Sequence, residues 1–450
     1  MKHIPTRRRI PIITDLMELP EMTRTPLGFC QRMVRELGDV CAVPIPGAQN
    51  FMVHDVDVLQ RVFVDEASSF KKSRLYQAMR KVIGIGLLTN DGEAHLQQRR
   101  LVAPAFHRAR VQEYAAAMVE NTIDEIERWQ PGRSIDVQEE MSAITIRIIT
   151  QTMFSSRVGE GELREMGKLV NDLLEAAAGV FQNPFTLLCF ENNIPLPSVQ
   201  RIHSLTKQVD ERIKDIIASY RKVDTAQQTD LLSMLMNARD EETGAAMDDK
   251  QIRDEVITMF MAGHETTATA LMWMWYVLST NEQHRENAER EIDAVMQSRL
   301  PHADDYPALS VTRNILKETL RLYPPVWTFA REPLHDVEIL GYRFPKGSVV
   351  CTITPILHHK EKFFTNAEEF LPERWNDPAM KSLPRFAYVP FGAGNRMCIG
   401  EGFAWMEAMM IASSIIQRYR LVANEPIDAR VRPLFTLRMQ VPLRLVVEKR

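Results

Sequence analysis

Pro390-Phe391-Gly392-Ala393-Gly394-Asn395-Arg396-Met397-Cys398-Ile399-Gly400 sets a single cysteine among three glycines, and a strongly helical run, Phe403 to Tyr419, follows at once. Glycine accepts positive φ and lets a backbone come close to a flat ligand that side chains would hold off. A cysteine just before a helix start meets unsatisfied amide N–H groups and the positive end of the macrodipole, and both favour thiolate over thiol. Arg396 adds a cation close by. A thiolate presented this way suits a soft metal, and a lone cysteine without a local partner suggests a metal carried by a prosthetic group. Taken in isolation, the same pattern also reads as a buried structural cysteine beside an ordinary helix cap.

The bulk numbers narrow the field. The chain has 450 residues, 45% hydrophobic and 25% charged, ordinary values for a globular protein of two or three domains or one two-lobed unit. A net charge of −4 argues against a nucleic-acid partner. No stretch near the N-terminus approaches ~20 apolar residues, so no membrane anchor is expected. Arg7-Arg8-Arg9 precedes an apolar run, Ile10 to Ile13, too short for a secretory signal. Residues 1–20 therefore read as a solvated arm, and the protein as cytoplasmic. The five cysteines (Cys30, Cys41, Cys189, Cys351, Cys398) contain no C-x-x-C, which excludes a disulfide framework and a Cys-rich zinc site. The 24 methionines read as core filler, and equally suit a pocket for a lipophilic guest.

Along the chain, Val40 to Val43 and Phe51 to Val53 are short β-like runs around a Pro-Gly loop, followed by helical periodicity. Gly84 to Gly92 is turn-rich and leads into a helix where His95 and Arg99, four apart, share a face. Two donors there could grip a carboxylate, or belong to a solvated basic face. Residues 108–240 are mostly helical, with breaks at Pro131-Gly132, Asn183-Pro184 and Pro195 to Pro197, and Phe185 to Phe190 reads as an apolar loop between helices. Asp249 to Thr280 reads as one helix without proline, spanning ~45 Å. Its middle, Ala262-Gly263-His264-Glu265-Thr266-Thr267, combines a destabilising glycine with hydroxyls able to bond the i−4 carbonyl and bend the helix. His264-Glu265 is not the start of a zinc-protease H-E-x-x-H, because Ala268 stands where the second histidine must be. A helix over 311–323 carries Glu318 and Arg321, by themselves a minor surface pair. Val326 to Arg331 reads as a strand edge, and Val337 to Thr354 as β with turns at Gly341 and Pro345 to Gly347. His358-His359 splay if extended and read as structural.

Three of these stretches, and a fourth at 372–375, carry a resemblance. Phe391-x-x-Gly394-x-Arg396-x-Cys398-x-Gly400 is similar to the haem-ligand signature of the cytochrome P-450 family. Ala262 to Thr267 resembles its oxygen-activation motif A-G-x-[DE]-T-[TS], and Glu318-x-x-Arg321 followed by Pro372-Glu373-Arg374-Trp375 resembles its E-x-x-R and P-E-R-[FW] elements. The likeness runs over roughly residues 25–445 with the motifs in the family's order.

The resemblance implies a mainly α cytochrome P-450 fold, a large helical domain with small β-sheets, and haem between the long central helix and the cysteine-loop helix. Residues 1–450 would form a single catalytic domain in which about 25–70 and 332–356 contribute to a small β-rich lobe. It implies haem b (iron protoporphyrin IX), with Cys398 as the iron's thiolate ligand, which favours O–O cleavage. Phe391, Ala262 and Gly263 would border the cofactor. Propionates would be held by His95, Arg99, Arg331 and Arg396, although many members carry Trp where this chain has His95. Glu265 and Thr266 would relay protons to O2. Leu88, Met261, Val326, Thr328 and Phe435 would line the substrate pocket, and residues 166–200 would form its lid. Glu318, Arg321 and Arg374 would form a buried structural charge network.

The activity implied is monooxygenation of a fatty acid, terpenoid or similar lipid by a monomer. Electrons would come from a separate ferredoxin- or flavodoxin-type partner and its reductase, docking near Cys398. A peroxide-driven peroxygenase or a non-catalytic haem sensor is the alternative; the acid–alcohol pair Glu265-Thr266 argues against both.

Overall fold

The computed structural model describes residues 2–6, 13–43, 49–154, 159–181, 184–222 and 230–450. Arg7-Arg8-Arg9, Ile10 to Ile12, the Pro-Gly loop at 44–48 and Asn183 lie outside the described residues. The chain divides into two compact units. One comprises Met1–Ala78, Leu320–Cys398 and Val431–Arg438; the other comprises Met79–Thr319, Ile399–Arg430 and Met439–Arg450.

The first unit is built on a five-stranded sheet in the order Val40–Val43, Asn50–Val53, Val349–Ile353, Thr328–Pro333, Phe70–Lys72. Among these five strands, Asn50–Val53 and Val349–Ile353 pair in parallel and the other neighbours antiparallel. Alternation sorts the side chains by face. Cys41, Val43, Met52 and Ile353 pack with Leu27, Phe29 and Met33 of helix Pro26–Leu37. Val40, Phe51, Val53 and Val350 face a larger cluster that continues through Phe63 and Phe364 to Phe386, Val389 and Ala393. The core thus reaches the start of the cysteine loop. Thr328–Pro333, expected at a sheet edge, has a strand on each side. Its short apolar run carries no mark of how many partners it has.

A buried cation organises the same unit. Arg321 is fully buried. Its guanidinium donates to the carbonyls of His358 (2.9 Å), Ala367 (2.6 Å) and Glu369 (3.0 Å), and lies over the Phe364 ring. Arg374, partly exposed, donates to Thr365 O (2.7 Å) and Asn366 O (3.1 Å). Glu318 is fully buried as well, so the Glu318–Arg321 pair is no surface feature. The described bonds of both arginines go largely to backbone carbonyls. His358 closes the frame. Its Nδ1 donates to Arg321 O (3.1 Å), its Nε2 accepts from Val389 N–H (2.9 Å), and its ring stacks on Tyr388. Burial pushes His358 down to about 3, which keeps the ring neutral and able to do both.

The second unit is helical, with a three-stranded sheet in the order Ser134–Asp136, Arg444–Lys449, Tyr419–Val422. The central helix runs Asp249–Thr280, as read from the sequence. It begins with a capping box in which Asp248 Oδ1 accepts from Gln251 N–H (2.7 Å) and Gln251 Oε1 from Asp248 N–H (3.0 Å). The three breaks read in residues 108–240 fall between helices Arg108–Ile126 and Val137–Phe154, between Glu160–Phe181 and Pro184–Glu191, and between Pro184–Glu191 and Pro197–Tyr220; the division between Val137–Phe154 and Glu160–Phe181 was not read from the sequence. Phe185 to Phe190 is therefore a helix and not the expected loop. Pro184 at its first position supplies the right φ and needs no N–H partner there.

His358→Phe retains the stacking on Tyr388 but strands the Val389 N–H and the Arg321 carbonyl. A loss of about 2–4 kcal/mol in urea unfolding is expected; a change under about 1 kcal/mol would show that the histidine is dispensable.

Candidate functional site

In the first unit the cysteine loop is shaped by close backbone contacts. Gly392 and Gly394 sit at φ +73° and +70°. A Cβ on Gly394 would lie 2.7 Å from Phe63 O, so only glycine fits. Gly392 N–H donates to Val389 O (3.1 Å), Met397 N–H to Gly394 O (3.1 Å), and Cys398 N–H to Phe391 O (2.9 Å). Phe391 and Arg396 are half-buried and Cys398 is exposed. No other cysteine is exposed. Burial pushes the Cys41 and Cys351 thiols up to about 12 and raises Cys30 further, which makes all three poor thiolates. Among the described residues no three of His, Cys, Asp and Glu converge as metal ligands. The single exposed cysteine on a backbone-fixed loop fits a metal delivered by a prosthetic group and held through one sulfur.

Other predicted residues gather in the same unit. Arg331 lies 4.7 Å from the Phe63 ring centroid, donates to Ala330 O (2.9 Å) and is half-buried. Leu437 N–H donates to Pro325 O (2.9 Å) and Trp327 Nε1 to Leu434 O (2.9 Å). These bonds draw the Val326 and Thr328 segment to the turn that bears Phe435. All three side chains are half-buried.

In the second unit the central helix is buried almost throughout residues 254–275, except for a window. Ala262 is exposed, and Met261, Gly263 and Thr266 are partly so. Thr266 Oγ1 donates to Ala262 O (2.7 Å), the i−4 bond expected from its position. A Cβ on Gly263 would meet Ile149 Cδ1 at 3.1 Å, so its bare face serves packing on helix Val137–Phe154. His264 is buried with Nδ1 bonded to Phe260 O (2.7 Å). Glu265 is only 5% exposed, which removes the reading of a solvated acid. On helix Gly92–Val102, His95 is buried and Arg99 half-buried, while the neighbouring Arg100 pairs with Asp240 (2.8 Å). Leu88 is half-buried on the preceding loop.

One acid was missed from sequence. Glu407, on helix Glu401–Arg418, is fully buried. Burial pushes its carboxyl up to about 8, partly offset by the nearby Thr267 hydroxyl; neither oxygen has a hydrogen bond within 3.5 Å. A lone acid inside the apolar run Phe403 to Ile416 was the available signal.

A pKa above the ordinary 4.5 means that the folded chain holds a proton the unfolded chain has released. Stability from this group is complete below about 4.5 and declines as pH rises toward about 8. Glu407→Gln should flatten the fall of Tm between about pH 5 and pH 8, with the variant's advantage largest at the alkaline end. Parallel Tm–pH curves would show that Glu407 is ionised in the fold.

Comparisons with known proteins identify the family. The family model described as Cytochrome P-450 matches residues 4–441. Cyclooctatin synthase of Streptomyces melanosporofaciens is 33% identical over 429 residues, covering 95% of this chain and 92% of that protein. Cyclooctat-9-en-7-ol 5-monooxygenase of the same species is 31% identical, with 92% and 88% covered. Pentalenene oxygenase of Streptomyces avermitilis is 32% identical, with 94% and 93% covered. With a cysteine loop of the right chemistry and a family match over nearly its whole length, the chain belongs to the cytochrome P-450 family.

Proposed function

We propose that this cytochrome P-450 is a haem-thiolate monooxygenase inserting one oxygen atom from O2 into a terpenoid. Cys398, the one exposed cysteine, held on a glycine loop fixed to the core, is the observation that carries the reading. The absence of C-x-x-C in the sequence favours haem b, bound without thioether links. Relatives named for cyclooctat-9-en-7-ol and pentalenene favour a terpenoid over a fatty acid.

When bound, the haem iron supplies the dioxygen chemistry, and thiolate ligation favours O–O cleavage. The chain does the rest. Cys398 would hold the iron through its thiolate sulfur. Arg99, Arg331, Arg396 and His95 offer donors for the two propionates through charge-assisted bonds. Thr266 spends its hydroxyl proton on Ala262 O, which leaves its oxygen lone pairs to accept a proton-carrying water. Glu265 is the acid that resupplies that proton. Leu88, Met261, Val326, Thr328 and Phe435 exclude water and present no charge to the guest. Electrons come from a ferredoxin- or flavodoxin-type partner with its reductase, and the protein works as a cytoplasmic monomer. Among the described residues no single helix is long and apolar enough to cross a membrane.

The deciding test is a spin-state titration of the ferric protein with pentalenene, a sesquiterpene alcohol and straight-chain fatty acids. A Soret shift toward high spin with the terpenoids alone is expected, as the guest displaces water from iron. A shift with fatty acids alone would overturn the substrate class. Cys398→Ser should abolish the thiolate band of the reduced carbon-monoxide complex, and an unaltered band in that variant would end the ligand assignment.

A further inference from the structure

The loop from Gly84 to Asn90, which carries Leu88, is pinned by its backbone to the first part of the central helix. Ile85 N–H donates to Asp254 Oδ2 (2.8 Å) and Leu87 N–H to Glu255 Oε2 (3.1 Å). Two glycines permit the approach. A Cβ on Gly84, at φ +77°, would lie 2.1 Å from Asp254 Oδ1. One on Gly86 would lie 2.1 Å from Thr258 Oγ1 and 2.7 Å from Asp254 O, and that hydroxyl is itself tied to Asp254 O (2.7 Å). The loop's carbonyls are occupied elsewhere: Gly84 O by Thr89 Oγ1 (2.7 Å), Ile85 O by Gln98 Nε2 (2.9 Å), and Thr89 O by Arg80 (2.6 Å). The two carboxyls therefore hold the loop's outward-pointing amides.

The two acids are built differently. Asp254 receives Lys250 (3.1 Å) and Arg253 (2.6 Å), and Arg253 also bonds Asp210 (2.7 Å), so its charge is matched. Glu255 is fully buried; among the described residues its Oε1 has no hydrogen-bond partner and Leu87 N–H is the sole donor to its carboxyl. Burial pushes it up to about 8. A buried carboxyl with a single backbone bond gains little from its place except what that bond holds still.

We propose that Asp254 and Glu255 are positioning residues that latch the Gly84–Asn90 loop to the central helix, and that the latched loop, through Leu88, selects which apolar guests the site accepts. The second half rests on the reading of Leu88 as a pocket residue.

The test uses the full-length holoprotein and two readouts. Hydrogen exchange followed by mass spectrometry reports the amides of residues 85–90. Soret titration with imidazole and with 4-phenylimidazole, which adds an apolar body to the same iron ligand, reports the apolar wall. Glu255→Ala should speed exchange of the loop about tenfold and leave residues 267–278 unchanged. It should reduce the preference for 4-phenylimidazole over imidazole about fivefold. Glu255→Gln keeps a carbonyl acceptor for Leu87 N–H and should restore both values. Gly86→Ala, which forces the loop off Thr258 while leaving both acids in place, should behave like Glu255→Ala. Unchanged exchange in both disrupting variants overturns the latch. Faster exchange with an unchanged azole preference overturns the loop's part in selection. Neither readout depends on the terpenoid assignment, so a failure of that assignment leaves the latch to stand or fall on exchange.

Discussion

The guanidinium of Arg321 is fully buried, and three backbone carbonyls between His358 and Glu369 converge on it. Removing a cation from water costs several kcal/mol even after relaxation, so each carbonyl must stay in place. The planar fork of arginine matches a fan of acceptors that lysine's ammonium does not. His358 then converts this local constraint into a longer one: it takes the carbonyl of Arg321 on one ring nitrogen and gives the other to Val389 N–H. From Val389 onward the apolar cluster continues to Ala393, and Gly394 is pressed against Phe63 O. Cys398 is thereby exposed at the end of a chain of contacts that has little freedom. A ligand sulfur needs that, because a metal bond is sensitive to errors of a fraction of an ångström.

The central helix meets a different constraint. A helix buried this completely has little room for polar groups, yet its middle carries His264, Glu265, Thr266 and Thr267. The solution is to send donors back to the helix's own carbonyls. Phe260 O takes His264 Nδ1, Ala262 O takes Thr266 Oγ1, and His264 O takes Thr145 Oγ1 from the neighbouring helix. Carbonyls shared in this way loosen the backbone ladder locally without breaking it. The three fall within one and a half turns of the only accessible window in the buried part of the helix, so the polar residues sit where the backbone is already adapted to them.

Much of this was legible in the sequence where a local rule had few competitors. The span Asp249–Thr280 was readable because no proline interrupts it; the capping box at Asp248 emerged only from the structure. The cysteine loop was readable because its glycines and cysteine have few other uses at that spacing. Sheet order was not, since the parallel pairing of Asn50–Val53 with Val349–Ile353 joins segments about three hundred residues apart and leaves no local trace. The depth of Glu318 and Arg321 was implied by the family resemblance and not by the helix pattern, because an E-x-x-R on a helix looks the same buried or exposed. His358 was assigned a structural role, but its double hydrogen bond follows from tertiary placement alone. Phe185 to Phe190 misled because a short apolar run is compatible with loop, strand or helix, and the deciding proline lies at its margin.

The glycines at these sites differ in what opposes a side chain, and that difference ranks them. At Gly263 the obstacle is the terminal methyl of Ile149, at 3.1 Å, which can turn aside by a few tenths of an ångström. At Gly394 it is the carbonyl of Phe63, and at Gly86 the Thr258 hydroxyl together with the carbonyl of Asp254. Those carbonyls belong to backbone held by its own hydrogen bonds and cannot yield without moving an element. The chain therefore sets the cysteine loop against backbone, the Leu88 loop against backbone and the side chains of Asp254 and Thr258 together, and the helix window against a side chain that tolerates adjustment. A methyl added at Gly263 should accordingly disturb the fold less than one added at Gly86 or Gly394. A protein that must keep its sulfur fixed has reason to set an unyielding backbone carbonyl, and not a movable methyl, opposite the glycine of that loop.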